Sequence, residues 1–376
     1  MKKLLRSNLT PGMIVGEDVF SYANQLIVPK GMVLTDKIIT RLEFYSIPYV
    51  KVKDDPDEPF DSPVTYCDNE AGSKPAPFLD IPSKSSPYSE LIKSSPEFIQ
   101  YKADFDQTIN EFKGSMNDIV QKGAKIDTDV LLSQATHLID GAPNTSAFFN
   151  MLHNMRQSDD LTFAHCMNVA LISNILATWL NLSQKEIDTA TLCGLLHDIG
   201  KLAIPDQIIK KPGKLTPAEY NIVKTHPLES YKMLSRYNLP DEVKNAALMH
   251  HERCDGSGYP YGFTAEKINR FAKLVAIADV YEAMTSKRTY REALCPFHVI
   301  THFENDGLQK YDPAFLLPFL ENVVNTFLNQ RVRLTNGLEG SIIFINPVAL
   351  SKPTVKIGDK FIDLKKVENV EIEEII

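Results

Sequence analysis

Asp279 stands inside AKLVAIADVYEAMTS (272–286), and the five residues before it are all apolar. A fold that buries this helix must bury a carboxylate with it, at a cost of several kcal/mol unless the charge is paired or bound to a metal. The same conflict recurs upstream. His165 begins an apolar helix, HCMNVALISNILATWL, and His197-Asp198 end the next one in CGLLHDIGK. His226-Pro227 falls mid-helix, where proline breaks the hydrogen-bond ladder. His250-His251 close a further helix, and adjacent histidines cannot both join one apolar stripe, because neighbouring side chains on a helix point about 100° apart.

Five histidines and two aspartates at core-facing positions of successive helices form an N/O donor set suited to two divalent ions. Asp198 is the carboxylate best placed to bridge ions about 3.5–4 Å apart and to help position a hydroxide between them. Imidazole and carboxylate suit Fe, Mn, Zn or Ni, and donor type does not choose among them; Fe or Mn is the expectation. The competing reading is a dry His–Asp hydrogen-bond network, which requires every imidazole to be satisfied internally. His137, His153, His298 and His302 stand singly and read as ordinary surface or core histidines.

The chain has 376 residues, enough for two or three domains, with 43% hydrophobic and 23% charged residues. A formal net charge of -8 disfavours a nucleic acid polymer as partner. Five cysteines without a C-x-x-C pair indicate neither a disulfide framework nor a zinc ribbon and fit a reducing cytoplasm. Cys166, Cys193 and Cys254 read as buried small residues. MKKLLRSNLTPGMIV lacks the apolar core of a signal peptide, and VALISNILATWL (169–180) is too short and polar to span a bilayer. A soluble cytoplasmic protein away from membranes is expected.

Residues 1–53 form a β-rich module, with a helix over 35–47 behind a Thr N-cap and a strand at 48–53. Residues 54–96, with eight prolines among Ser, Asp and Lys, have the composition of a linker. A helical connector spans 97–154, a helical bundle 155–330, and a β-extension with an Asn336-Gly337 hairpin 331–376. Within the bundle, Ser183…Glu186 and Thr216-Pro217…Glu219 have the form of capping boxes. The expected fold class is mainly α, with small β-rich additions at both ends that serve as regulatory or dimerising modules of a homodimer.

HDIGK (197–201), His226-Pro227, HHERCDGSGYP (250–260) and ADVYEAMTSKRTYR (278–291), in that order, resemble the HD-GYP family of bacterial cyclic di-GMP phosphodiesterases. The resemblance covers about 155–330. It implies His165, His197, Asp198, His226, His250, His251 and Asp279 as metal ligands, with Asp198 bridging. It further implies that Asp198 and Lys201 serve catalysis, that Lys201 faces a substrate phosphate, and that Tyr259, Arg288 and Arg291 contact the ligand. Gly256 and Gly258 allow a tight loop that carries Tyr259 and faces a partner such as a diguanylate cyclase. Members with three metals place a glutamate four residues before the first histidine. Here that residue is Leu161, with Asp160 off by one, so two metals are expected.

The activity implied is hydrolysis of cyclic di-GMP to linear pGpG by a metal-bridging hydroxide, with onward cleavage to GMP left open. The same chemistry on 3′,3′-cyclic GMP-AMP is the nearest alternative. A receptor that binds cyclic di-GMP without turnover is another, although an intact ligand set with Lys201 favours an enzyme. A general HD-type phosphohydrolase would have no reason to carry His250-His251 and the GYP loop.

Overall fold

The computed structural model describes residues 2–20, 26–44, 47, 49–53, 93–155, 161–211, 213–286 and 293–376. The chain divides into two units, Met1–Pro87 and Tyr88–Ile376. In the first, β1 (Lys2–Leu5) pairs antiparallel with β4 (Tyr49–Val52), and β2 (Val19–Phe20) with β3 (Leu26–Val28). Helix α1 (Asp36–Phe44) starts behind Thr35, whose Oγ1 accepts the Ile38 N–H at 3.3 Å. Val50 and Val52 face inward at every second position of β4 and pack with Val15, Ile27, Leu34 and Leu42.

The expected linker lies outside the described residues as far as 92. Its end needs correction, because Pro96 is the first residue of a helix and not the last of the linker. Ser95 caps α2 (Pro96–Lys122) by accepting the Phe98 N–H at 3.2 Å, and proline at the first helical position gives up an N–H that has no intrahelical partner anyway. Phe98, Tyr101, Phe105, Ile109, Phe112 and Met116 then form one buried stripe at helical spacing.

The helical body continues with α3 (Thr128–Asp140), α4 (Thr145–Asn154), α5 (Leu161–Trp179) and α6 (Gln184–Leu196). Next come α7 (Asp206–Ile209), α8 (Pro217–Val223), α9 (His226–Leu234), α10 (Asp241–Met249) and α11 (Arg270–Thr285). After α12 (Pro296–His302), a π-helical turn at Phe303–Gly307 and a short helical turn lead into α13 (Pro313–Asn325). Both capping boxes form: Glu186 accepts the Ser183 N–H at 3.0 Å, and Glu219 accepts the Thr216 N–H at 2.7 Å. The fold is mainly α.

Helices α5 and α11 are enclosed on nearly every side, and α5 packs against both α6 and α11. Strands β5 (Arg331–Leu334), β6 (Glu339–Phe344), β7 (Thr354–Ile357), β8 (Lys360–Asp363) and β9 (Ile372–Ile375) make one antiparallel sheet in the order β8-β7-β6-β5-β9. Asn336-Gly337 turns β5 into β6, with Gly337 N–H donating to Leu334 O at 2.8 Å. Val332, Leu334, Ile342, Val355 and Ile372 belong to the same hydrophobic core as the helices, and so do Phe105 and Phe112 of α2. The segments 97–154 and 331–376 therefore share their burial with the bundle.

Two local expectations change. His165 lies on the second turn of α5, because the helix already begins at Leu161. Pro227 occupies the first turn of α9 and breaks no ladder, since His226 opens that helix. The approach of α9 to the turn after Asp198 depends on Gly200. A Cβ there would stand 2.3 Å from His226 O and 2.4 Å from Ser230 N, and the Gly200 N–H donates to Ser230 Oγ at 2.8 Å. Gly200→Ala is expected to destabilise the chain by about 1–3 kcal/mol, the range of forced overpacking, read as a lower urea midpoint at unchanged slope. A midpoint equal to wild type would show that α9 is free to move away.

Candidate metal centre

Each helix delivers its donor at a point where the backbone also fixes the ring. His197 follows α6, His226 opens α9, and His250 follows α10. Their Nδ1 atoms lie 2.6 Å from Gly194 O, 2.7 Å from Val223 O and 2.9 Å from Ala247 O. A carbonyl oxygen only accepts, so Nδ1 carries the proton and Nε2 is left with a lone pair. His165 on α5 uses Nδ1 on Glu282 at 2.5 Å, again leaving Nε2 to face the centre. His251 presents Nδ1 instead, 3.7 Å from Asp279 Oδ2.

Asp198 lies among these rings, almost fully buried. Its Oδ1 is 3.0 Å from His226 Nε2 and 3.7 Å from His250 Nε2. Its Oδ2 is 3.3 Å from His197 Nε2 and 3.5 Å from His165 Nε2. The two oxygens thus face two different groups of histidines. Asp279 spans the groups from the other side, with Oδ1 3.2 Å from His165 Nε2 and Oδ2 toward His251. One cluster is Asp198, His226, His250 and His251; another is His165, His197 and Asp279, the donor atoms of each lying within 4.8 Å of one another.

These donors fit divalent cations. His197 Nε2 and Asp198 Oδ1 are buried without a hydrogen-bond partner among the described residues. The Nε2 atoms of His226 and His250 lie 3.3 Å apart, and in the tautomers fixed by their carbonyl partners both are acceptors. Convergent lone pairs in a dry site repel unless a cation takes them up.

The charges are set for ligation. Burial by itself raises the Asp198 carboxyl, but the Lys201 ammonium and the imidazoles of His197 and His226 outweigh it and hold the group well below its usual range. Asp279 is likewise depressed, its burial offset by His165 and His251. Burial, followed by the neighbouring imidazoles, pushes His250 and His251 well below the ordinary histidine value, so both imidazoles are neutral at pH 7. Lys201, expected to face a substrate phosphate, has its ammonium on Asp198 Oδ2, and its side chain is 22% exposed at the edge of the centre. Burial, acting first, would lower the Lys201 pKa, yet Asp198 and Asp279 raise it.

Tyr259 stacks on His251, ring centroids 4.6 Å apart at 26°. Its loop folds back on its own start: a Cβ at Gly258 would stand 2.4 Å from Glu252 Cα. Glu252, almost fully buried, accepts the N–H groups of Tyr261 at 2.8 Å and Phe263 at 3.0 Å. Arg288 and Arg291 lie outside the described residues, as do Asp160 and the side chain of Leu161, so the two-ion argument from that position finds no geometry here. Cys166 is buried beside His197 and Asp198, and burial pushes its thiol up, so it reads as a small neutral neighbour and not as a thiolate. Helix α2 reaches the centre as well: Phe112 and Met116 line a small cavity with Thr162, Cys166, Leu202 and Asp198.

Sequence reasoning misses Glu282. It accepts from Asn168 Nδ2 at 3.3 Å and Ser286 Oγ at 2.7 Å while holding His165. A signal is present, because Glu282 follows Asp279 by three residues and shares its helix face. Glu252 is visible within HHE, but nothing in that motif assigns it a task.

Residues 149–315 match the HD domain family. The chain is 36% identical over 208 residues to a cyclic di-GMP phosphodiesterase of Pseudomonas aeruginosa, covering 55% of this chain and 50% of that protein. It is 33% identical over 240 residues to the cyclic di-GMP phosphodiesterase response regulator RpfG of Xanthomonas campestris pv. campestris, covering 62% and 57%. It is 41% identical over 133 residues to a 3′3′-cGAMP-specific phosphodiesterase of Vibrio cholerae, covering 35% and 31%. The chain thus spans about half the length of the first two relatives. Among the described residues no helix is long and apolar enough to cross a membrane.

Two outcomes follow from this centre. Asp198→Ala is expected to abolish binding at both clusters, whereas Glu282→Gln should weaken metal affinity about 10–100-fold by loosening His165. Metal content per chain after dialysis against graded chelator distinguishes them, and equal retention in both variants would contradict the shared carboxylate. For the metal-free chain, depressed His250 and His251 mean that the unfolded state takes up protons first as pH falls below the ordinary value of 6.5. Stability should therefore fall between about pH 7.5 and 5.5 before the carboxylates titrate, and a flat melting temperature across that window would contradict it.

Proposed function

We propose that this chain is a cyclic dinucleotide phosphodiesterase acting on cyclic di-GMP, because residues 149–315 match the HD domain family and HDIGK, His226-Pro227 and HHERCDGSGYP meet Asp279 at one buried donor set. One observation carries the reading: Asp198 turns one oxygen to His226 and His250 and the other to His165 and His197. That arrangement suits a pair of divalent ions, with Fe or Mn proposed and Zn or Ni equally compatible by donor type, held by His165, His197, Asp198, His226, His250, His251 and Asp279. When bound, the ions would acidify a water as nucleophile and polarise the scissile phosphodiester.

The chain's own groups do the rest. Burial keeps His250 and His251 neutral, and the depressed carboxyls of Asp198 and Asp279 are ionised, at pH 7. Lys201, ion-paired with Asp198 at the edge of the centre, can turn to a phosphoryl oxygen as negative charge builds there. Tyr259 covers His251 and offers its ring to the ligand. Glu252 holds the loop that carries it. Arg288 and Arg291 would add phosphate or base contacts, and the same loop would offer a surface to a diguanylate cyclase.

A second reading, cleavage of 3′,3′-cyclic GMP-AMP, is favoured by the 41% identity to a relative named for that substrate. Incubating the metal-loaded chain with each dinucleotide and separating products by chromatography decides between them. Linear pGpG from cyclic di-GMP and two ions per chain are expected, with Lys201→Met lowering kcat by about 10²–10³-fold, the scale for a group that stabilises developing charge. Tight binding of either dinucleotide with no product from the metal-loaded chain would make it a receptor.

A further inference from the structure

The centre presents buried carboxylates where an anionic diester has to approach. Lys201 is already paired with Asp198. Arg253 donates Nη1 to the carbonyls of His250 at 3.2 Å and Glu252 at 2.9 Å, and its guanidinium lies 4.9 Å from the Tyr311 ring centroid. Lys224 differs from both. Its Nζ lies 4.9 Å from the Tyr220 ring centroid and 5.3 Å from that of Tyr259, and among the described residues it makes no ion pair.

Lys224 is half-buried, two residues before His226, and Tyr220 is exposed one turn earlier. The Tyr259 ring that faces its ammonium is the ring stacked on His251. Lys224 therefore stands one aromatic ring away from the donor set, set back from any phosphorus held there. Ring faces attract and hold an ammonium without neutralising it, so its charge remains available to an anion.

We propose that Lys224 binds the second, non-scissile phosphate of the dinucleotide, with Tyr220 and Tyr259 holding its ammonium in place. The inference rests on the phosphodiesterase reading above. A lysine acts as a point charge and lacks the bidentate fork that reads a base edge, so its contribution is the same for cyclic di-GMP and cyclic GMP-AMP.

The test compares wild type, Lys224→Met and Lys224→Arg, as metal-loaded full chain, on both dinucleotides and on bis(p-nitrophenyl) phosphate, a diester with a single phosphate. Lys224→Met should raise KM about tenfold for both dinucleotides, the scale of a charge-assisted hydrogen bond, with kcat within about twofold. The one-phosphate diester should be unaffected, and Lys224→Arg should restore most of the KM. Unchanged KM on the dinucleotides would overturn the inference and leave the phosphodiesterase reading standing. An equal loss on the one-phosphate diester would place Lys224 at the scissile phosphate and overturn it too. A wild type that cleaves the simple diester but neither binds nor cleaves either dinucleotide would overturn the substrate reading, and the inference with it.

Discussion

Everything around the centre depends on Asp198 being shared. A carboxylate with one oxygen on each of two histidine groups cannot be satisfied from one side, so α5, α6, α9 and α10 must all converge on it. The convergence explains the severity of the packing nearby. Gly200 admits α9 to within a distance that no side chain would allow, and His226 arrives at Asp198 from the opposite side to His165. Helices that carry their polar groups inward can be apolar elsewhere, and α5 and α11 are.

A centre of this kind gains its precision from groups that never touch a ligand. Three imidazoles are oriented by carbonyls of the backbone just before them, which ties ring position to the helix end itself. His165 is held at Nδ1 by Glu282, which Asn168 and Ser286 hold in turn. Glu252 does comparable work on the loop by accepting two backbone N–H groups, so that Tyr259 rests on His251. A buried carboxylate that accepts hydrogen bonds from fixed donors is held rigidly, with its charge compensated where it lies. The chain uses that device on both sides of the histidines.

Much of this is legible in the order of the residues. The helix starts at Ser183 and Thr216 and the hairpin at Asn336-Gly337 are local events, decided by side chains within four residues of the backbone they bond. The seven polar residues stand out because each contradicts the apolar pattern around it. Pro96 and Pro227 mislead for one reason: the same residue ends a helix or opens one, according to which side the helix lies on. Glu282 is marked only by its spacing of three from Asp279, and Lys224 not at all, because its sequence context is that of an ordinary exposed charge.

By itself, the sequence determined which residues had to be brought together, since a histidine or carboxylate inside an apolar helix requires partners wherever the chain finds them. It also determined where the helices behind Thr35, Ser183 and Thr216 begin, because caps act over three or four residues. Only the tertiary structure decided which oxygen of Asp198 serves which histidines, that Lys201 pairs with that same carboxylate, and that α2 and the C-terminal sheet share the bundle's core. Those outcomes depend on distances between residues far apart in the chain. Such distances follow from how whole helices pack, and no local pattern encodes them.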